Sequence, residues 1–566
     1  MRLTALAFAA YLLFHPLLSA AVPLFKRAAP TVTTTYGTWT GNAGTVESWK
    51  GIPFASPPTG DLRFASPVKD TVNHGTYDAT SFGKSCPQMN FANGVLPGFW
   101  NDIAQDVLDL ITSLPFFSAI AGTDAAEDCL TLNIWRLSGT TEGDDLPVMV
   151  YIFGGAFLIG STTMYDATSL VSRSIKINQP TVLVSMNYRL NSFGFLPGAE
   201  AAADPTVAPN AGLEDQRLAL EWVQENIGKF GGDPNKVTIF GESAGGISAA
   251  FQMLAYDGDI TSSTTGNPLF RAAILQSGSP IPVGPPSYGQ DSFDTLASAG
   301  GCGSASDKIA CLRALSYDAM VDATNRLPNI LSYNSVSLPF LPRTDGTFLT
   351  AASQELTAGG KYAKVPVING DMADEGTILA LGTLNITTEA QLKDWLQEIW
   401  FPRATSEQID GLLDLYPADI TQGSPYDTGL LYAVTPQFKR INAIIGDLVF
   451  QAERRSFVEY TQATQPTWSY LSRAFRATPF VGSFHGADLL AVFGIDQFAP
   501  SEEMQTRWIA FANNLDPNVA GWPYWPQYGT NATLLQFTDL TSSLITDNYR
   551  TEQLKYIWSN AEAFAQ

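Results

Sequence analysis

The chain has 566 residues, of which 45% are hydrophobic and 15% are charged, a composition that supports a large packed core and excludes a disordered protein. Its 54 acidic residues outnumber 32 basic ones, which gives a formal net charge of −22 at pH 7. Nucleic acid is excluded as a partner, because binding a phosphate backbone needs clustered Lys and Arg and no basic block is present.

The first segment is typical of a secretory signal peptide. Arg2 precedes an apolar run over residues 3–18, and small residues follow up to Ala21. The run is interrupted by His15 and Pro16 and is short for a bilayer span of about 20 residues, which disfavours a membrane anchor. We therefore predict a signal peptide over residues 1–21, and no other apolar run is long enough to be a transmembrane segment.

The secretory route has further consequences for the mature chain. Residues 22–27 end in the dibasic pair Lys26-Arg27, which predicts a short pro-segment and a mature, extracellular domain over residues 28–566. Asn385 and Asn531 each begin an N-x-T sequon and are candidate glycosylation sites, although each could equally stay bare.

Four cysteines in an oxidising destination predict disulfides. Three pairings are possible. Proximity in sequence favours Cys302 with Cys311, which leaves Cys86 with Cys129. A zinc site would need two-residue spacings between cysteines or nearby histidines, and the sequence has neither, so we expect no metal.

Short β-rich apolar runs alternate with longer helical patterns, which predicts a mostly parallel sheet covered on both faces. The predicted strands are 148–153, 181–186, 237–240, 272–275, 365–368 and 468–471. Apolar residues at helical spacing from Ala219 to Phe230 predict a crossover helix that ends at Gly231. With no internal repeat and no low-complexity linker, the fold class is α/β with one open sheet.

A glycine-rich turn follows the first of these strands, at Gly154, Gly155 and Ala156. A phosphate-binding loop is the competing interpretation, but no Lys-Ser/Thr follows and no G-x-G-x-x-G pattern is present. Backbone N–H groups in such a turn stabilise an oxyanion when they lie near a nucleophile. We expect this role for the N–H groups of Gly155 and Ala156.

The sequence Gly241-Glu242-Ser243-Ala244-Gly245 follows the predicted strand 237–240 and precedes a helix start, as in a nucleophile elbow. The two glycines fit a turn in which neighbouring backbone comes too close for side chains. The serine lies at a helix N-terminus, where the dipole favours developing negative charge. The pentapeptide alone also occurs as a surface turn; in this context it predicts Ser243 as the nucleophile and the Ala244 N–H as a third oxyanion donor.

Three carboxylates, Asp371, Asp374 and Glu375, follow the predicted strand 365–368. A carboxylate at this point would orient a histidine and stabilise its cationic form. Spacing alone does not choose among the three, and any of them could be a solvated loop residue.

The chain has only three histidines, His15, His74 and His485. His15 leaves with the signal peptide, and His74 precedes the nucleophile in a polar turn, so we assign it no role. Because hydrolases with this elbow order their residues as serine, acid and histidine, His485 is the predicted base. A histidine in a surface loop is the alternative.

Longer motifs give the chain a resemblance to the type-B carboxylesterases, the cholinesterase/lipase family of α/β-hydrolases. Residues 230–245, FGGDPNKVTIFGESAG, are similar to the family's serine signature, and residues 127–135, EDCLTLNIW, to its second signature. The resemblance implies an α/β-hydrolase fold in a single large domain, no cofactor, a Cys86–Cys129 disulfide, and Glu375 as the acid. One departure is Ala156, where the family usually has a third glycine.

The stretch between the first two cysteines has an amphipathic helical pattern. Its apolar side chains must lie on protein, on lipid or on a second subunit, because exposing each would cost about 1.5–3 kcal/mol. The stripe comprises Trp100, Ile103, Val107, Leu110, Ile111 and Leu114. The stretch resembles the flap of fungal lipases and sterol esterases, which implies a helical lid insertion over about residues 86–129; a permanently docked surface helix is the alternative.

These features predict a secreted lipase or sterol esterase that hydrolyses long-chain acyl esters at a lipid–water interface through a serine acyl-enzyme. Ile378 and Leu379 are expected to line the acyl site, and the lid could join two copies into a homodimer. A soluble carboxylesterase for short-chain esters is the alternative enzyme. A cholinesterase-like adhesion protein is a distant one, since such a protein needs the fold but not the triad.

Overall fold

The computed structural model describes residues 28–90, 124–494 and 499–566. The predicted signal peptide and pro-segment lie outside the described residues. So does the amphipathic stripe of the predicted lid, of which only the two ends at residues 86–90 and 124–129 are described.

A mixed sheet of ten strands forms the centre of the described chain, in the order β13-β12-β11-β10-β9-β8-β6-β7-β5-β3. The strands of the structure are β1 (Thr31–Thr34), β2 (Gly37–Thr40), β3 (Val46–Pro53), β4 (Thr76–Asp78), β5 (Thr131–Leu137), β6 (Leu146–Ile152), β7 (Val182–Met186), β8 (Gly232–Glu242), β9 (Ala272–Gln276), β10 (Val367–Met372), β11 (Thr467–Ser472), β12 (Thr533–Phe537) and β13 (Ser542–Thr546). In this order across the sheet, the seven neighbouring strands from β12 to β7 are parallel. Antiparallel strands lie at both edges, β13 at one and β5 with β3 at the other. The predicted α/β class is confirmed.

Helices connect the parallel strands and flank the sheet. They are α1 (Thr168–Lys176), α2 (Asn191–Gly194), α3 (Ala199–Ala203), α4 (Ala211–Asn226), α5 (Ala244–Gly258), α6 (Gln290–Ala299), α7 (Lys308–Arg313), α8 (Tyr317–Thr324), α9 (Ser353–Ala358), α10 (Glu389–Trp395), α11 (Ser406–Leu415), α12 (Phe438–Gly446), α13 (Ala452–Thr461), α14 (Asp488–Val492), α15 (Ala499–Asn514) and α16 (Thr551–Ser559). A π-helical stretch, Asp447–Gln451, joins α12 to α13. Within the described ranges, no helix is both long enough and apolar enough to cross a bilayer.

The six predicted strands all occur, as β6 to β11, and the predicted crossover helix is α4 with a 3₁₀ turn after it. The turn ends at Gly231, whose φ of +83° is left-handed and favours glycine. The expectation of a single sheet was wrong, because β1, β2 and β4 form a separate three-stranded sheet near the N-terminus. These strands have only three or four residues each, too few for a clear alternating pattern.

Two disulfides account for all four cysteines, Cys86 with Cys129 and Cys302 with Cys311. The first spans 43 positions and tethers the two ends of the predicted lid. The Cα atoms of this pair are 5.0 Å apart, so the insertion leaves and re-enters the domain at nearly the same point.

A buried glutamate in α13 makes stability depend on pH. Glu453 is 1% exposed, and neither of its carboxylate oxygens has a hydrogen-bond partner among the described residues. Burial raises the pKa of Glu453 well above its usual value of 4.5. The folded chain therefore keeps this proton at pH values where the unfolded chain has lost it, and stability falls as the pH rises above about 4.5.

We expect Glu453→Met to raise the free energy of unfolding by about 1–3 kcal/mol at pH 8, because it replaces an unpaired polar group with an apolar side chain of similar length. The gain should shrink towards pH 4, where the glutamate is protonated in both states. Urea denaturation at the two pH values measures both effects. A gain that is equal at the two pH values would contradict the ionisation argument.

Candidate active site

Ser243 lies in the tight turn between β8 and α5, and the glycines on either side of it make that turn possible. Ser243 has φ +57° and ψ −128°, a strained backbone for a residue with a side chain. A Cβ on Gly241 would lie 2.4 Å from the carbonyl carbon of Gly245, and one on Gly245 would lie 2.0 Å from the Ile152 oxygen. The turn closes only with glycine at both positions, and it sets the serine at the N-terminus of α5.

Ser243, His485 and Glu375 form one hydrogen-bonded row, although they come from three separate segments. His485 Nε2 lies 2.7 Å from Ser243 Oγ, and His485 Nδ1 lies 2.5 Å from Glu375 Oε2. His485 is 8% exposed and Glu375 is 1% exposed, while Ser243 is only half-buried. Ser243 is therefore the most exposed member of the row in the described part of the chain. The ring centroid of Phe450 lies 4.6 Å from that of the imidazole, with the two planes tilted by 38°.

The three candidate carboxylates have three different surroundings. Asp371 lies inside β10 and pairs with the buried Arg454 at 3.0 Å. Asp374 is also buried, and it accepts hydrogen bonds from the backbone N–H of Ser483 and from two groups of the segment at residues 424–426. Of these three, only Glu375 reaches the imidazole, and its second oxygen accepts a hydrogen bond from the Met372 N–H.

A fourth carboxylate, which sequence reasoning missed, faces the same histidine. Glu242 precedes the serine, is 3% exposed, and places Oε1 3.4 Å from His485 Nε2. Burial raises the pKa of Glu242 to about 8, with Asp488 and Glu375 adding to the rise and His485 opposing it. The signal available in the sequence was an acidic residue inside an otherwise small and apolar elbow.

The carboxylates also set the charge of the histidine. Burial alone would lower the pKa of His485, but Glu242 and Glu375 outweigh it and raise that pKa to about 9. An imidazole must be neutral to take a proton from Ser243 Oγ. Activity should therefore rise as the pH increases through the pKa of His485, about 9.

We expect Glu242→Gln to move the acid limb of the kcat/KM profile for a soluble ester down by about one pH unit, because one of the carboxylates that stabilise the imidazolium is gone. Rates between pH 5 and 10 measure the shift. Glu355→Gln, an exposed residue of α9, removes the same charge at the surface and serves as the control. A limb that stays in place, or moves up, would contradict the electrostatic argument.

The glycine-rich turn after β6 lies against the serine. A Cβ on Gly154 would lie 2.9 Å from Ser243 Cβ, so the two backbones are in contact. Gly155 and Ala156 have φ values of +121° and +59°, and the chain turns away from the sheet here. No acceptor among the described residues takes the N–H groups of Gly155, Ala156 or Ala244. These groups remain available for an oxyanion, and the Ala156 methyl does not prevent the turn.

The other predicted positions lie as follows. Ile378 and Leu379 are buried in an apolar cluster beside Glu375 that also contains Phe450 and Phe484. The side chains of Asn385 and Asn531 are exposed. His74, to which no role was assigned, bonds Asp70 at 2.6 Å in the N-terminal part of the chain.

A parallel sheet, a strained serine turn after one strand and an acid–histidine pair after later strands together define the α/β-hydrolase class. The matching family description is "Carboxylesterase family", over residues 28–557. The chain belongs to this family and is a carboxylic ester hydrolase.

Known proteins of similar sequence extend over nearly the whole chain. It is 43% identical over 560 residues to "Secreted triacylglycerol lipase LIP1" of Gibberella zeae, covering 97% of this chain and 93% of the relative. It is 45% identical over 557 residues to "Secreted lipase 1" of Botryotinia fuckeliana, covering 96% and 95%. Among solved structures, Aspergillus niger EstA matches with a TM-score of 0.77 and 25% identity over 95% of this chain and 99% of that one.

Proposed function

We propose that this protein is a secreted lipase or sterol esterase that hydrolyses long-chain acyl esters, such as triacylglycerols and steryl esters, through an acyl-enzyme on Ser243. The observation that carries the proposal is the row of hydrogen bonds from Ser243 Oγ through His485 to Glu375. In this proposal Ser243 is the nucleophile, His485 the base and Glu375 the acid that orients it.

In the first step, His485 Nε2 takes the proton of Ser243 Oγ as Oγ attacks the ester carbonyl carbon. Negative charge then develops on the carbonyl oxygen, where the N–H groups of Gly155, Ala156 and Ala244 donate hydrogen bonds. The intermediate collapses when the bond to the alcohol oxygen breaks. His485 gives its proton to that oxygen, and the alcohol leaves the acyl group on the serine.

In the second step, water replaces the alcohol. His485 takes a proton from the water as its oxygen attacks the acyl carbon, and the bond to Ser243 Oγ breaks as the proton returns to the serine. Glu375 takes no proton in either step, and it stabilises the imidazolium that forms in both. The products are a carboxylic acid and an alcohol, and the chain supplies every group without a cofactor.

Long acyl chains are supported by the names of the relatives and by the apolar cluster beside Glu375. The predicted lid would cover such a site, but its stripe lies outside the described residues. A homodimer through the lid stays a prediction for the same reason.

Secretion is supported by the names of the relatives and by the two disulfides. We infer that residues 1–21 are removed as a signal peptide and residues 22–27 as a pro-segment, and that the mature domain starts at residue 28. The exposure of Asn385 and Asn531 leaves both open to glycosylation.

The test is the hydrolysis rate as a function of concentration for a long-chain triacylglycerol, a cholesteryl ester and a short soluble ester, with Ser243→Ala as the matched blank. We expect the rate on the triacylglycerol to rise where the substrate exceeds its solubility and to vanish in the variant. Activity confined to the short ester would make the protein a soluble carboxylesterase with the same catalytic row. No serine-dependent activity on any of the three esters would overturn the proposal in favour of a binding protein.

A further inference from the structure

Two adjacent leucines protrude from the described surface. Leu430 is 69% exposed and Leu431 is 59% exposed, whereas most large apolar side chains of the described chain are buried. A third leucine, Leu540, is 84% exposed in the turn between β12 and β13. We call these three residues the leucine rim.

The loop that carries Leu430 and Leu431 is bonded to the candidate active site. Asp374, which follows the carboxyl end of β10, accepts hydrogen bonds of 2.9 Å from Ser424 Oγ and from the Tyr426 N–H. Its neighbour in sequence is Glu375, the partner of His485. The loop therefore lies at the carboxyl edge of the sheet, the edge at which Ser243 follows β8.

The third leucine lies at the same edge. Arg473, directly after β11, pairs with Asp427 of the loop at 2.6 Å. Two residues later, the Phe475 N–H donates to Asp539 Oδ1 at 2.6 Å, next to Leu540. The segment that leads from β11 to His485 thus joins both parts of the leucine rim.

The exposure of the rim is built into the loop. Lys439 Nζ donates to Thr428 Oγ1 at 2.9 Å and to the Gly429 oxygen at 2.8 Å, directly before the two leucines. Asp427 and Tyr432 have φ values of +60° and +65°, so tight turns bound the loop on both sides. The backbone of the loop is held in one conformation, with the leucine side chains exposed to water. Little conformational entropy is therefore lost when these side chains insert into another phase.

We propose that the leucine rim inserts into the surface of a lipid phase and sets the carboxyl edge of the sheet, which carries Ser243, against it. This inference rests on the proposed function, because a lipase must meet a substrate that is not dissolved. The net charge of −22 disfavours electrostatic attraction to anionic lipid, so apolar insertion has to supply the binding. Binding should therefore change little between 0.05 and 0.5 M salt, unlike binding through surface charges.

The chain offers a matched control at the opposite edge. Tyr524 is 70% exposed, and its neighbour Trp525 accepts a bond from Trp468 at the amino end of β11. Val72 is 59% exposed in a segment where Lys69 pairs with Glu225, at the end of α4 that leads into β8. These two residues match Leu430 and Leu431 in exposure but lie at the amino edge of the sheet, opposite the edge that carries Ser243.

The experiment measures binding to phosphatidylcholine vesicles that contain a few per cent triolein, with every variant carrying Ser243→Ala so that no lipid is consumed. We expect Leu430→Ser, Leu431→Ser and Leu540→Ser together to lower the partition coefficient at least tenfold. The pair Val72→Ser and Tyr524→Ser should change it less than twofold. Equal losses in the two sets, or no loss in the rim variant, would overturn the proposal.

A fluorescent label gives a second readout that does not depend on affinity. All four natural cysteines are in disulfides, so Leu431→Cys creates a single thiol for a polarity-sensitive dye. Its emission should shift to the blue when the vesicles are added, and that of Tyr524→Cys should not. A shift caused by protein concentration alone, without lipid, would assign the rim to a second copy of the chain and overturn the proposal.

Hydrolysis separates this inference from the proposed function. In chains that keep Ser243, we compare turnover on emulsified triolein with turnover on a soluble ester. The three leucine substitutions should lower the ratio of the first to the second at least tenfold. A wild-type chain that binds vesicles through the rim but leaves triolein intact would contradict the proposed function and keep the docking surface. If the wild-type chain hydrolyses triolein but the rim variant binds vesicles as well as the wild type does, the docking surface is contradicted and the proposed function is kept.

Discussion

Alanine at Ser243, at His485, or at both positions is expected to lower kcat for a soluble ester by the same factor, about 10⁶. The two side chains share one proton across a distance of 2.7 Å, so either one is idle without the other. The second substitution should therefore add almost nothing to the first. Steady-state rates for the two single variants and the double variant measure this directly.

The remaining rate should stay above that of uncatalysed hydrolysis in water. The backbone N–H groups after β6 and after Ser243 can still stabilise the oxyanion when the two side chains are gone. Thermal unfolding of each variant checks that the domain is intact. A double variant more than tenfold slower than both single variants would show that the residues act independently, against the geometry of the row.

The serine and the histidine could be predicted from the sequence because each is marked locally. The elbow needs two glycines within five residues, and their close backbone contacts are present in the structure. Of the three histidines, only His485 follows the serine in the chain. Neither inference needed knowledge of how distant segments pack.

The acid could not be chosen from spacing because the choice depends on packing between distant segments. Asp371 forms an ion pair with Arg454 of α13, more than eighty positions away in the chain, and is not available to the histidine. Asp374 is occupied by Ser424 and Ser483. Only the resemblance to a known family pointed to Glu375, and the hydrogen bonds now give a physical reason for that preference.

Glu242, Glu453 and the leucine rim escaped sequence reasoning for a related cause. A glutamate is usually solvated and a leucine is usually buried, so the default expectation fails where packing reverses it. The fold class was easier to predict, because alternating strands and helices recur over several hundred residues. The lid stays a prediction, because its amphipathic stripe lies outside the described residues.

Glu375→Gln is expected to lower kcat about 10⁴-fold, while Asp374→Asn, one position away, should lower it less than tenfold. An amide at position 375 presents no negative charge to the imidazolium and can hold the wrong tautomer of His485. An amide at position 374 instead faces N–H donors of Tyr426 and Ser483 with a group that can donate.

The stability effects of these two variants should run in the opposite order. Asp374→Asn leaves at least one buried N–H without its acceptor, and we expect it to lower the free energy of unfolding by about 1–3 kcal/mol. Kinetics on a soluble ester and urea denaturation, carried out on both variants, separate the two roles. A 10⁴-fold loss of kcat in Asp374→Asn with wild-type stability would exchange the roles, and the row through His485 would then have to be rebuilt around Asp374.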